Sequence, residues 1–269
     1  MPSRFAANIA TLFADIPLLD RFQAARSAGF AQVEFPQPYD WPIDLLSRRL
    51  AAAEVSLSLI DLPVADGAGQ EGLACLPGEE EAFRVTVETA LRYAKALKVP
   101  VIHCPAGLVP EGAKRGALRT LYLDNVAYAA RRCAEDGVTV VVQPRNPDDC
   151  PAYFLDSYAG AAHALNAVRD RGGDAGLLFS IMDCARIHGD VQPWLAALAH
   201  EVSYYRIAGV PGGHEPDCGV LPFADLLRDV ALLSPDVTVG LDYTPVAGTL
   251  HGLKWLEEVI PTLEPHAAR

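Results

Sequence analysis

The chain has 269 residues, 51% of them hydrophobic, and a formal net charge of −12 at pH 7. That length matches one (β/α)8 barrel and supplies enough apolar material for a large core. The negative charge argues against nucleic acid as a partner, because neutralising phosphates takes clustered Lys and Arg, and no run of about eighteen apolar residues offers a membrane span.

Short β-rich runs alternate with longer amphipathic stretches. In chain order the pattern predicts a strand over residues 5–9, a helix over 17–28, a strand over 32–35 and a helix over 43–53. A strand over 56–61, a helix over 79–97, a strand over 101–104 and a helix over 118–135 follow. The second half predicts strands over 138–143, 177–180, 204–207 and 237–242, with helices over 158–171, 191–199, 223–232 and 253–262. The run Val138-Thr-Val-Val-Val142 is nearly all apolar, as a parallel strand covered on both faces must be. Gly29, Gly137 and Gly172 each follow a predicted helix, where a left-handed residue ends the last turn.

Strict alternation implies parallel pairing with right-handed crossovers, and eight repeats suggest closure into a barrel. No Pro/Gly/Ser-rich linker divides the chain, so residues 1–269 read as one domain. The alternative, a doubly wound sheet, would want a G-x-G-x-x-G after the first strand, and none stands there. The opening Met1-Pro-Ser-Arg lacks the layout of a secretory signal, and six cysteines without one read as reduced thiols. The expected location is the cytoplasm; a homo-oligomer is compatible with the sequence.

In such barrels chemistry sits at the C-terminal ends of the strands. The predicted ends carry Asn8, Glu34, Asp61, His103, Gln143, Ser180, Arg206 and Asp242, a polar ring around one mouth. The longer loops predicted at that face cover residues 62–77, 106–116, 144–152, 183–190 and 208–222.

Several local strings carry a family resemblance. Phe5-Ala-Ala-Asn8, Gly29-Phe-Ala-Gln-Val-Glu34-Phe, Pro38-Tyr39-Asp40, His103-Cys-Pro-Ala-Gly107, Ile207-Ala-Gly209 and His214-Glu215-Pro216-Asp217 resemble the hydroxypyruvate isomerase family of xylose-isomerase-like TIM barrels. The resemblance implies a divalent cation held by Glu, Asp, Gln and Glu at the ends of strands five to eight, with the two Glu moving the proton between neighbouring carbons. This chain departs at each position: Gln143 in Val142-Gln143-Pro144, Ser180 in Ser180-Ile-Met-Asp183, Arg206 before Ile207-Ala-Gly209, and Asp242 in Asp242-Tyr243-Thr244-Pro245. Val220 also replaces a Glu that normally follows the His-Glu-Pro-Asp string.

Hard cations need oxygen ligands, preferably carboxylates. A guanidinium about 4 Å from a dication costs on the order of 8 kcal/mol at an effective dielectric near 20. The expectation is therefore a site without metal or other cofactor, in which Arg206 takes the vacated cation position with Asp242 as its local partner. A guanidinium offers a planar fork of donors to a carboxylate or enolate oxygen; the competing role for Arg206 is to neutralise Asp242 and fill the void. Gln143 can hydrogen-bond but cannot shuttle a proton at neutral pH. That excludes the two-carboxylate mechanism and leaves a single base, Asp242 or Asp183.

The expected catalytic set is thus Asp242, Arg206 and Gln143. His103, His214, Ser180, Asp183 and Glu34 are expected to contact substrate, with Glu34 also placed to touch Arg206 or nearby backbone from a supporting position. Cys75, Cys104, Cys150, Cys184 and Cys218 are predicted at or beyond strand ends, which leaves a soft-metal site or a Cys184 nucleophile as side readings. The function expected is a metal-independent isomerase, epimerase or lyase acting on a small anionic hydroxy- or oxo-carboxylate by removing a proton next to a carbonyl. One alternative is a non-catalytic, ligand-binding pseudoenzyme; another is a metal-dependent hydroxypyruvate isomerase with a rebuilt site.

Overall fold

A computed structural model describes residues 4–64 and 67–263. Residues 1–3, read above for a leader, lie outside the described residues, as do residues 65–66 of the loop expected at 62–77.

Eight parallel strands close into a barrel in sequence order: β1 Phe5–Asn8, β2 Gln32–Glu34, β3 Ser56–Asp61, β4 Val101–His103, β5 Thr139–Val142, β6 Ala175–Ser180, β7 Val202–Ile207 and β8 Val239–Leu241. The surrounding helices are α1 Arg21–Ser27, α2 Ile43–Ala53, α3 Glu80–Leu97, α4 Arg115–Ala134, α5 Tyr158–Arg169, α6 Ile181–His188, α7 Gln192–Leu198, α8 Phe223–Leu233, α9 Thr249–Gly252 and α10 Trp255–Leu263. Their apolar stripes explain the packing. In α2, for example, Leu46, Leu50 and Ala53 recur at helical spacing and are buried, and Glu54 then ends the helix in the left-handed region. No helix among the described residues is long and apolar enough to cross a membrane.

Side chains alternate across each strand, so residues two apart share a face. One set lines the barrel interior: Leu59, Val101, Val141, Leu178 and Tyr204 form a small inner cluster. Their neighbours Ile60, Ile102, Val140, Val142, Leu177, Phe179 and Tyr205 join the larger core beneath the helices. Two residues beyond each inner-cluster member, toward the strand's C-terminal end, stand Asp61, His103, Gln143, Ser180 and Arg206. The polar mouth is therefore the next layer above an apolar floor.

The predicted elements differ from the observed ones mainly at their ends. The stretch 183–190, expected as a loop, is largely helical in α6. Ser180 caps that helix, its hydroxyl accepting from the Asp183 N–H at 3.1 Å, while Ile181, Cys184 and Ala185 are buried. Helix α4 begins at Arg115 rather than at 118, and the last predicted helix corresponds to α10, with the short, unforeseen α9 just before it.

Candidate active site at the barrel mouth

A cavity of about 600 Å³ opens at the C-terminal ends of the strands, lined by Asp61, His103, Gln143, Ser180, Asp183, Arg206 and Asp242. Arg145 and Arg186 lie farther out on its wall, each beside a carboxylate: Arg145 is 2.6 Å from Glu71 and Arg186 is 2.7 Å from Asp149.

Arg206 sits at the centre. β7 delivers it inward above Tyr204, and its side chain is 9% exposed. Its Nε and Nη2 both lie 2.9 Å from Oε2 of Glu34, a residue with no solvent exposure. Asp242 lies 3.6 Å from Nε and Asp61 lies 3.8 Å from Nη2. Burial alone would lower the guanidinium's pKa, but Glu34, Asp242 and Asp61 more than reverse this, so Arg206 stays charged. Burial pushes the Glu34 carboxyl up to about 7, with Arg206 pulling against it. Asp242 was expected to be the main partner of Arg206; Glu34 is closer, and it reaches across from β2.

Gly240 makes that reach possible. It faces Arg206 on one side and Ala6 on the other, and a Cβ there would stand 1.5 Å from Glu34 Oε1. The space under the guanidinium is carved by the absence of one side chain.

The remaining edge of Arg206 meets Gln143, whose Oε1 accepts from Nη1 at 3.3 Å. The same amide donates through Nε2 to Asp183 Oδ2 at 2.9 Å, and the Asn146 N–H donates to Asp183 Oδ1 at 3.0 Å. An amide suits this place for a physical reason. A group between a cation and a carboxylate must accept on one side and donate on the other, and a glutamate would only accept. Both Asp183 oxygens are occupied, which disfavours it as the base and makes it the anchor of Gln143.

Asp242 differs from Asp183 in being partly open to the cavity, its side chain 29% exposed. Asn8 donates to its Oδ1 at 2.8 Å. Across the mouth, in-register Asp61 and His103 come together with Nδ1 3.1 Å from Oδ1, an ion-pair distance whose angle falls short of a hydrogen bond. Both ring nitrogens of His103 are buried without a hydrogen-bond partner.

Most of the expected set therefore converges, and two members do not. Glu34 lies behind Arg206 rather than on the cavity wall, in the supporting position against Arg206 that the sequence reading also gave it. His214 is exposed on the loop after β7, its Nδ1 2.8 Å from the Thr244 carbonyl oxygen, and it is not among the cavity-lining residues. Asp61, named at the mouth but given no role, lines the cavity together with Arg145 and Arg186, which were not foreseen. Asp61 carried a signal, because it shares the mouth-facing parity with the other strand ends; the two arginines lie off the strands and carried none.

The cysteine readings find no support in the geometry. Cys184 lies inside α6, and burial pushes its thiol up to about 12, away from the thiolate a nucleophile needs. Among the described residues no three His, Cys, Asp or Glu side chains are grouped to hold a metal ion.

A family model for the xylose isomerase-like TIM barrel matches residues 22–259. The chain belongs to that family. A 2-oxo-tetronate isomerase of Cupriavidus necator is 39% identical over 94% of this chain and 97% of its own length. The hydroxypyruvate isomerase of Escherichia coli is 32% identical over 94% and 98%, respectively. A solved structure described as an AP endonuclease, family 2, from Brucella melitensis superposes with a TM-score of 0.90 at 33% identity, covering 95% of this chain and 98% of that one.

The cation implied by the hydroxypyruvate isomerase resemblance can be tested against these side chains. It would have to approach Gln143, Ser180, Arg206 and Asp242. Gln143 already bridges Arg206 and Asp183, and the Ser180 hydroxyl caps α6. Asp242, the one carboxylate of the four, is 3.6 Å from a guanidinium. This donor set does not fit a divalent cation.

Proposed function

We propose that this xylose isomerase-like barrel is a metal-independent isomerase or epimerase of a small hydroxy- or oxo-carboxylate, working by proton abstraction next to a carbonyl. The observation that carries the reading is the permanently charged Arg206, buried at the mouth with Asp242 on one flank and Gln143 on its cavity edge. The names of the relatives, 2-oxo-tetronate isomerase and hydroxypyruvate isomerase, support small oxo-hydroxy acids as the substrate class.

The roles follow from exposure and partners. Arg206, through the edge shared with Gln143, holds the carbonyl oxygen and stabilises the enolate that forms on it. Asp242 is the base, because it is the most open of the mouth carboxylates, and Arg206 stands 3.6 Å from it without a hydrogen bond. Glu34 fixes the guanidinium from below, and Asp183 fixes the amide of Gln143.

The competing reading is a ligand-binding pseudoenzyme. It is favoured by Gln143 itself, since one of the two carboxylates used for proton transfer in the resembling family is here an amide. Incubation with hydroxypyruvate or 2-oxo-tetronate in deuterium oxide separates the two. Deuterium entering at the carbon next to the carbonyl supports the enzyme; binding with neither exchange nor turnover supports the pseudoenzyme.

A further inference from the structure

Moving a carbonyl to the neighbouring carbon transfers two protons, one between carbons and one between oxygens. Asp242 and Arg206 account for the first. The structure assigns the second to His103, with Asp61 as its positioning residue; this rests on the isomerase reading above.

Three observations converge on the pair. β3 and β4 place Asp61 and His103 in register on the mouth-facing side, and both line the cavity. His103 Nδ1 lies 3.1 Å from Asp61 Oδ1, so a carboxylate faces one ring nitrogen and favours a proton there. The other nitrogen, Nε2, is buried in a side chain only 6% exposed and has no protein partner, although a buried polar atom ordinarily has one. Asp61 Oδ1 and Arg206 Nη2 make ion-pair contacts, with His103 and Glu34 respectively, but no hydrogen bond, and they lie 3.8 Å apart. Asp61 thus stands between His103 and the guanidinium, and all three line the cavity.

The chemistry balances within these groups. Asp242 takes the proton from the carbon that bears the hydroxyl, and the C–H electron pair forms the enediol double bond. The imidazolium Nε2–H gives its proton to the former carbonyl oxygen, which leaves neutral imidazole with Nδ1–H toward Asp61. Nε2 then takes the proton of the neighbouring hydroxyl as that oxygen becomes the new carbonyl, and Asp242 returns its proton to the other carbon. No oxidant, reductant or metal is consumed, and both groups end as they began.

This division predicts a separation that a structural histidine would not produce. In His103→Gln, the exchange of substrate carbon-bound hydrogen with deuterium oxide should fall less than about 10-fold, while isomerisation of 2-oxo-tetronate falls about 100-fold or more. Asp61→Asn should shift the ratio of exchange to isomerisation in the same direction by a smaller factor, and Asp242→Asn should abolish both. His103→Asn, with circular dichroism and thermal melting on every variant, guards against a folding defect; if both His103 variants misfold, an unchanged ratio in folded Asp61→Asn overturns the assignment. Equal losses of exchange and isomerisation in His103→Gln, or wild-type isomerisation there, overturn the role of His103 and leave the isomerase reading standing. A wild-type protein that neither exchanges nor isomerises hydroxypyruvate or 2-oxo-tetronate overturns the isomerase reading and this assignment with it.

Discussion

Replacing Arg206 with Met should destabilise the protein severely, and more so at high pH. Met fills much of the same volume but leaves Glu34, with no solvent exposure, facing an apolar side chain. At an effective dielectric near 20, the attraction at 2.9 Å to Glu34 is about 6 kcal/mol, and those at 3.6 Å to Asp242 and 3.8 Å to Asp61 are each roughly 4–5 kcal/mol. Desolvation of the guanidinium offsets most of that sum, so the expected net loss is about 3–5 kcal/mol, the usual cost of breaking a buried pair from one side. The sign of the pH dependence follows from Glu34. Its folded pKa of about 7 is above the ordinary 4.5, so its contribution to stability is full below pH 4.5 and is lost as pH rises through about 7. Without Arg206 its pKa rises further, and the deficit relative to wild type grows between pH 6 and pH 8. Urea unfolding followed by circular dichroism at those two pH values measures this. A loss under about 1 kcal/mol, or one equal at both pH values, would refute the argument that Glu34 and Arg206 form a buried pair at the centre of the mouth.

Gly240→Ala should cost about 2–4 kcal/mol by driving Glu34 off the guanidinium, since its Cβ would stand 1.5 Å from Oε1. In a Glu34→Ala background the same change should cost under about 1 kcal/mol, and additivity in a double-mutant cycle would contradict the contact. Glu34→Gln should tighten binding of hydroxypyruvate at pH 8 and remove a pH dependence that wild type shows: as Glu34 takes up a proton below about 7, more of the Arg206 charge is left for the ligand. Dissociation constants by calorimetry at pH 6 and 8 test it, and an unchanged pH dependence in the variant counts against it. Asp242→Asn should lower isomerisation by about 100-fold or more, whereas Asp183→Asn should act indirectly by loosening Gln143; equal turnover in Asp242→Asn and wild type would remove Asp242 as the base.

Much of this was legible in the sequence because strand parity is rigid. Once the strands are found, the residue two beyond an inward apolar one must face the mouth, and Asp61, His103, Gln143, Ser180 and Arg206 follow. The partner of Arg206 was harder to see. Glu34 reaches it only because Gly240 lacks a side chain, and no local pattern ties position 34 to 240. Helix α6 was read as a loop although Ser180-Ile-Met-Asp183 has the spacing of a capping box and its hydroxyl does cap Asp183. His214 sits in the most family-like string, yet its contact with Thr244 turns it to the rim. Resemblance located the loop but not the direction of the ring. Asp61 was counted at the mouth but not given a role, because its pairing with His103 depends on the register of β3 against β4.

Arg206 stands at the strand-seven position where the resembling family has a metal-ligating Gln. Titrating manganese into the purified, chelator-treated protein tests most directly whether its guanidinium excludes a cation, with wild type compared to the Gln143→Glu, Arg206→Gln double variant. Wild type is expected to show no saturable binding and no change in isomerisation, with binding gained only when the guanidinium is removed and a carboxylate restored. Stoichiometric manganese on wild type, with isomerisation lost on chelation and regained with the metal, would contradict it.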